Sequence, residues 1–178
     1  ALLARVWEGA PDLAETFAQG DVVKAQGDVE SYMDRTQLII ARLRRAEPNE
    51  YDLRDFQPST NKDAPAMMAT VQHAVTRIAN PHLGALVRHF YDDPDFGQQF
   101  ANAPGARRVH HAYLGGLLEY TVELLALADP LLALYPDMDP DLLLSGVLLH
   151  AVGKVRENEW QKDFGPTDEG TMIGYVVL

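Results

Sequence analysis

The sequence predicts an α+β chain: a strand-rich first part to residue 50, a polar linker, then a helical remainder. Three observations carry this. Two runs rich in β-branched and aromatic residues, DVVKAQGDVESY (21–32) and RTQLIIARLRRA (35–46), flank Met33-Asp34 as the strands of a hairpin would. YDLRDFQPSTNKDAP (51–65) is polar and bears prolines, the composition of a connecting loop. Beyond it, apolar residues recur at helical spacing.

Taken in order, ALLARVW (1–7) reads as a short apolar strand. APDLAETFAQG (10–20) reads as a short helix with Gly20 as its stop. After the hairpin and the linker, PAMMATVQHAVTRIA (65–79) places Met68, Val71, Val75 and Ile78 on one helical face. Asn80-Pro81 breaks that helix and PHLGALVRHFY starts the next. Pro94 opens a further short helix, which ends near Ala103-Pro104-Gly105. GGLLEYTVELLALADPLLALY is a long apolar helical stretch that Pro130 is expected to kink or divide. Asp139-Pro140 is a helix start with the carboxylate as N-cap and the proline at the first helical position. That helix is expected to run through LLLSGVLLHAV to a stop at Gly153.

Composition narrows the class. With 178 residues, 47% of them hydrophobic, the chain can bury a sizeable core. It has no cysteine, which excludes disulfides and cysteine-based zinc sites. No apolar run is long enough to span a bilayer, and the N-terminus lacks a basic leader, so neither a membrane anchor nor a signal peptide is expected. These features fit a cytoplasmic protein. The formal net charge of −11 argues against a general nucleic-acid-coating protein. A local basic stripe can still act on an acidic body.

Three segments carry a more specific signal: RRVHHAYLGGLLEYT (107–121), LLLSGVLLHAVGK (142–154) and TDEGTMIGYV (167–176). They resemble the HD-type metal-dependent phosphohydrolases, and in particular the YhaM-type 3′→5′ exoribonuclease family. Its pattern runs roughly HHAY-GGLLEHT, LLLAG-LLHDIGK and TDEG-L-GHI. The resemblance implies a partial β-barrel (OB-like) followed by an all-α HD-type helical domain. Residues 1–50 would be the OB-like nucleic-acid-binding part without its first strands, 51–64 the linker, and 65–178 the HD-type domain without its C-terminal part. A strand, a short helix and a hairpin is indeed the order of the second half of an OB barrel. The chain is therefore expected to be trimmed at its start, with Ala1 inside a strand.

The same resemblance places the chain's departures at the metal ligands. Tyr120 stands where the family has its first metal-binding His, Ala151 where it has the Asp of the HD pair, and Tyr175 where it has the His of the third motif. With the His of the HD pair these make four positions, of which only His150 keeps its ligand, and it is the one metal-ligand candidate. Alanine cannot coordinate, and a phenol titrating near ~10 is a poor ligand at neutral pH. A lone Asp→Ala change would fit a laboratory knock-out, but two aromatic replacements at separate ligand positions point to natural decay. With its partners gone, His150 reads as a hydrogen-bonded core histidine. His110 and His111 match the family's paired His and, with Arg107 and Arg108 at an expected helix start, are candidates for residual metal or phosphate contact. Lys154 is a candidate phosphate contact, or a favourable charge at the end of its helix. Asp168 and Glu169 are expected to cap the helix that begins there.

In the OB-like part, Lys24, Arg35, Gln37 and Arg42 are the candidate strand-binding side chains, with Tyr32 and Trp7 as stacking candidates. Trp7 reads equally as a core residue.

Three functions stay open on these residues. The first is a catalytically impaired, exoribonuclease-related HD-domain protein, a pseudoenzyme that retains single-stranded RNA or DNA binding or an interaction role with a protein partner or a second copy. It needs no cofactor. The second is an active 3′→5′ exonuclease with a rearranged metal site using Mn²⁺ or Mg²⁺. The third is a structural subunit of a larger assembly.

Overall fold

The computed structural model describes residues 2–7, 9–33, 35–161 and 164–178, and it contains both a small sheet and a set of helices, a mixed fold compatible with the α+β class. Ala1, expected inside a strand, and Asp34 of the expected hairpin turn lie outside the described residues. The chain divides into two compact units, Ala1–Asp55 and Phe56–Leu178.

In the first unit, β1 (Leu3–Arg5) leads through α1 (Ala10–Ala14) into a hairpin of β2 (Val23–Tyr32) and β3 (Arg35–Arg45). The sheet order is β1-β3-β2, with β2 antiparallel and β1 parallel to β3. A parallel pair cannot be closed by a tight turn, and the segment bearing α1 supplies the crossover between β1 and the hairpin. The first helix was expected to reach Gly20 but ends at Ala14. It has no side-chain N-cap, and the Thr16 hydroxyl donates to the Leu13 carbonyl at 2.7 Å, turning the chain out of the helix.

The hairpin contains a bulge at Gln26/Gly27 that alternation alone did not reveal. Gly27 is required there, because a Cβ at this position would sit 2.0 Å from the Ile39 carbonyl oxygen. The extra residue on β3 restores the pairing, so Lys24 lies opposite Arg44 and Gln26 opposite Arg42.

Glu50 gathers the charges at that end of the sheet. Its carboxylate accepts from Lys24 Nζ at 2.8 Å, from both Arg44 terminal nitrogens at 2.6 Å and from the Glu47 amide at 3.0 Å. The Arg44 guanidinium, then Lys24, holds the Glu50 carboxyl far below the usual carboxylate range. For a depressed carboxylate, the stabilisation is present above the unfolded value of 4.5 and is lost as pH falls through the folded value. We therefore expect the parent to lose denaturant resistance more steeply than Glu50→Gln as pH drops below about 4.5. Urea midpoints measured across that range should converge at the acid end, and parallel curves would refute the assignment.

The second unit is built from helices with strong local start signals. The side chains of Asp63, Asn80, Asp93 and Asp139 each accept backbone N–H groups at the head of α2 (Ala64–Arg77), α3 (Pro81–Tyr91), α4 (Pro94–Asn102) and α6 (Pro140–Leu149), each with a proline in the first turn. Between α4 and α6 runs α5 (Gly116–Leu134). The core lies where α2, α3, α5 and α6 meet, around Val71, Val87, Leu117, Leu118, Leu144 and Leu148. Tyr91 ties α3 to α6 by donating its hydroxyl to the Leu148 carbonyl at 2.8 Å, and burial pushes its phenol well above its ordinary value.

Several local expectations are corrected. On α2 the buried face runs through Met67, Val71, Ala74, Val75 and Ile78, so Met67 rather than Met68 belongs to it, at the i, i+4 spacing from Val71. Pro130 does not divide α5. Pro130 and Ala126, whose carbonyl loses its partner, are both exposed, so water can satisfy that oxygen. α6 ends at Leu149, before the expected stop at Gly153. Gly153 instead precedes α7 (Lys154–Glu157), where a Cβ would lie 2.0 Å from the Tyr175 carbonyl oxygen. The helical part also holds a two-residue ladder, β4 (Asn158–Glu159) with β5 (Gly165–Pro166). At α8 (Asp168–Met172) the capping side chain is Thr167, whose hydroxyl accepts from the Gly170 amide at 2.8 Å. Asp168 and Glu169 occupy the first turn, and Glu169 pairs with Arg156 at 2.8 Å.

Candidate functional site

Of the residues singled out in the helical part, His111, Tyr120 and His150 meet around the N-terminal half of α5. Their environment begins with two glycines. Gly115 caps α5 at φ 79°, a left-handed conformation that other residues adopt at a cost, and Gly116 lets the loop before the helix fold back on it. The loop residue His111 is itself left-handed, at φ 56°. Arg107 and Arg108 were expected at a helix start. They lie in this loop instead, well before α5 begins, exposed like the neighbouring His110. Arg107 Nε donates to Asn158 Oδ1 at 3.4 Å.

Four rings form a row. His111 lies 5.9 Å from Tyr113 and 5.4 Å from Tyr120, and Tyr120 meets His150 edge-on at 5.6 Å, centroid to centroid. Such tilted and edge-on contacts satisfy the ring quadrupoles. His150, expected as a core histidine, is hydrogen-bonded but exposed, and its Nδ1 donates to the Val147 carbonyl at 2.8 Å. Ala151 is buried. Tyr175 sits beneath Lys154, whose Nζ lies 4.2 Å from the ring centroid. Lys154 also approaches Glu157 at 3.7 Å. Of the positions 120, 150, 151 and 175, one offers an imidazole nitrogen, two a neutral phenol and one nothing. This donor set does not fit a divalent cation.

Beside the rings is a second cluster that sequence reasoning missed. Glu119, almost fully buried, and Glu123 lie one turn apart on α5. Lys62 Nζ lies 2.9 Å from a carboxylate oxygen of each. The Thr60 hydroxyl donates to Glu119 at 2.5 Å, and Tyr113 hydrogen-bonds the same carboxylate. His111 Nε2 donates to Glu123 at 3.0 Å. Burial would raise the Glu119 carboxyl, but hydrogen bonds from Thr60, Lys62 and Tyr113 outweigh it and hold the group below its ordinary range. Lys62 does the same for Glu123, and the pair of carboxylates drives the Lys62 ammonium up. One ligand atom from each of His111, Glu119 and Glu123 falls within 4.8 Å of the others. A signal was present in the sequence: two acids at i, i+4 in the first half of a largely apolar helix.

In the first unit the cross-strand register sets Lys24, Tyr32, Arg35 and Arg42 on one face with Gln26, Asp28, Glu30 and Arg44. Gln37 shares that face but is buried, so it is corrected from a strand contact to a packed residue. Trp7 is exposed, with Arg5 5.8 Å from its ring centroid, and Tyr32 is exposed as well. Lys24 and Arg44 are held by Glu50, whereas Arg42 has no partner among the described residues. Lys24, Gln26, Arg42 and Arg44 line one groove.

Comparison with known proteins gives the lineage. The chain is 33% identical over 176 residues to 3′-5′ exoribonuclease YhaM of Bacillus pumilus and, at the same identity and length, to that of Bacillus velezensis. This chain is a relative of the YhaM-type family. The match takes in 98% of the chain but 55% of each relative, so the chain spans about half the length of the curated YhaM proteins it matches. Neither a family model nor a solved structure matches it. Among the described residues no helix is long and apolar enough to cross a membrane.

Proposed function

We propose that this chain joins an OB-like strand-binding part to an HD-type helical part of a YhaM-type protein whose HD metal site has decayed, so that it binds single-stranded RNA or DNA without cleaving it. The relationship to 3′-5′ exoribonucleases supports a nucleic-acid partner. The order strand, helix, hairpin, with the first strand parallel to the last, supports the OB-like reading. One observation carries the loss of catalysis: the Tyr120 ring lies between His111 and His150 where the family pattern has a ligand, next to the buried Ala151.

In this reading the exposed Arg42 and the aromatic Tyr32 and Trp7 supply charge and stacking to a strand. His111, His150 and Lys154, each already engaged inside the unit, hold the helical part together. A second reading, an active metal-dependent 3′→5′ exonuclease with a rearranged site, draws support from the His111–Glu119–Glu123 cluster, whose nitrogen and oxygen donors suit Mn²⁺.

The deciding measurement is a time course of 5′-labelled, single-stranded RNA with the full chain and Mn²⁺. The expected result is intact RNA, retained in a complex that weakens as salt rises through counterion release. Arg42→Ala should weaken that complex roughly tenfold at low salt, within the range of one desolvated cationic contact. A ladder of shortened products abolished by His111→Ala or His150→Ala would overturn the proposal in favour of the second reading.

A further inference from the structure

The cluster on α5 is also where an earlier segment of the chain is tied down. Residues 58–62 run across the start of that helix, where the Leu114 amide donates to the Pro58 carbonyl and the Thr60 amide to the Leu114 carbonyl, both at 2.9 Å. Gly115 makes room for this strap, since a Cβ there would lie 2.7 Å from Thr60 Cγ2. Among the described residues, the polar side-chain contacts between the strap and α5 converge on one place. The Thr60 hydroxyl and the Lys62 ammonium both end on Glu119, and Lys62 reaches on to Glu123.

The charges at that place are those of a cation site. Two carboxylates and an imidazole present ligand atoms within 4.8 Å of one another, and the one cation among them is Lys62, 2.9 Å from both carboxylates. Glu119 is almost fully buried, and a buried carboxylate without a counter-charge is strongly unfavourable. The Lys62 side chain is half exposed, so its departure into water is sterically open.

We propose that Lys62 is the built-in cation of the His111–Glu119–Glu123 cluster, where it latches the 58–62 strap to α5 and keeps divalent metal out. A metal ion and the ammonium require the same carboxylate oxygens, so the two occupants exclude each other. With the lysine in place the strap is fastened. Without it, the two acids accept an external cation and the strap is held by its backbone bonds and Thr60. This inference does not rest on the strand-binding reading and opposes the second reading, which places Mn²⁺ on the same cluster; its readouts use no RNA.

The test titrates the full chain with Mn²⁺, following free Mn²⁺ by electron paramagnetic resonance, and measures hydrogen exchange at the Thr60 and Leu114 amides against α6 amides as an internal standard. The parent should take up no stoichiometric Mn²⁺ at this cluster. Lys62→Met, which keeps the apolar stem and removes the charge, should bind one Mn²⁺ at least roughly tenfold more tightly than the parent, and in the absence of metal the two strap amides should exchange roughly tenfold faster. Adding Glu123→Gln should abolish the new Mn²⁺ site. Lys62→Arg, which keeps the charge, should retain both metal exclusion and slow exchange. Equal Mn²⁺ affinity in parent and Lys62→Met would overturn the proposal. So would strap amides whose exchange is unchanged in Lys62→Met, or an Arg variant that behaves like the Met variant.

Discussion

Replacement of Gly116 by alanine is expected to destabilise the helical unit by about 3 kcal/mol, the upper part of the range for overpacking. The added Cβ would stand 2.1 Å from the His111 carbonyl oxygen and 2.8 Å from its carbonyl carbon. These are backbone atoms, so no side-chain rotation relieves the clash. The carbonyl cannot easily withdraw, because it accepts the Gly105 amide at 2.9 Å and its residue is already left-handed at φ 56°. The loop must therefore move away from α5, taking the His111 ring from Tyr120 and its Nε2 from Glu123. Gly146→Ala is the matched control. It lies inside α6 with nothing within 4 Å of its Cβ position, and it should stabilise by about 1 kcal/mol through helix propensity alone. Opposite signs of the two changes in urea denaturation are the expected outcome. If both variants stabilised, the close approach at Gly116 would be wrong.

Phe100→Ala is the other large effect, at about 4 kcal/mol. Phe100 is 1% exposed, stacks on Phe96 at 5.6 Å and meets Tyr91 edge-on at 5.3 Å. Removing the ring leaves a cavity beside Tyr91, whose hydroxyl makes one of the hydrogen bonds between α3 and α6. The close-packed side chains around the cavity relax only partly into that space. Against a typical domain stability of ~5–15 kcal/mol, the loss should be visible as a large fall in the denaturation midpoint with little change in slope. Phe100→Leu, which refills part of the volume, should recover more than half of it.

The legible part of this chain is the part governed by near neighbours. Asp139-Pro140 and Asn80-Pro81 could be read as helix starts because a capping carboxylate or amide and a proline act within one turn. The hairpin strands could be read because alternation and branched side chains act along the strand. The same local logic misplaced the ends of α1 and α6, where hydroxyl back-bonding and close packing against Tyr175 decide the backbone path. It also chose Met68 over Met67, since two adjacent methionines look alike until the neighbouring helices show which side is covered.

The relationship to the YhaM-type proteins was written in three motifs, because a motif is a short stretch of sequence and survives being read in isolation. The surroundings of those motifs were not written there. Lys62 lies in a polar segment read as a connecting loop and Glu119 within an apolar helix, and only the packing of the strap on α5 brings their charges to 2.9 Å. The row of Tyr113, His111, Tyr120 and His150 likewise spans three elements. By itself the sequence determined the mixed composition of the fold, most helix starts and the lineage, all of which depend on interactions within a few residues. The tertiary structure alone decided which charges neutralise one another and what fills the site, because those contacts exist only once distant segments have been brought together by burial.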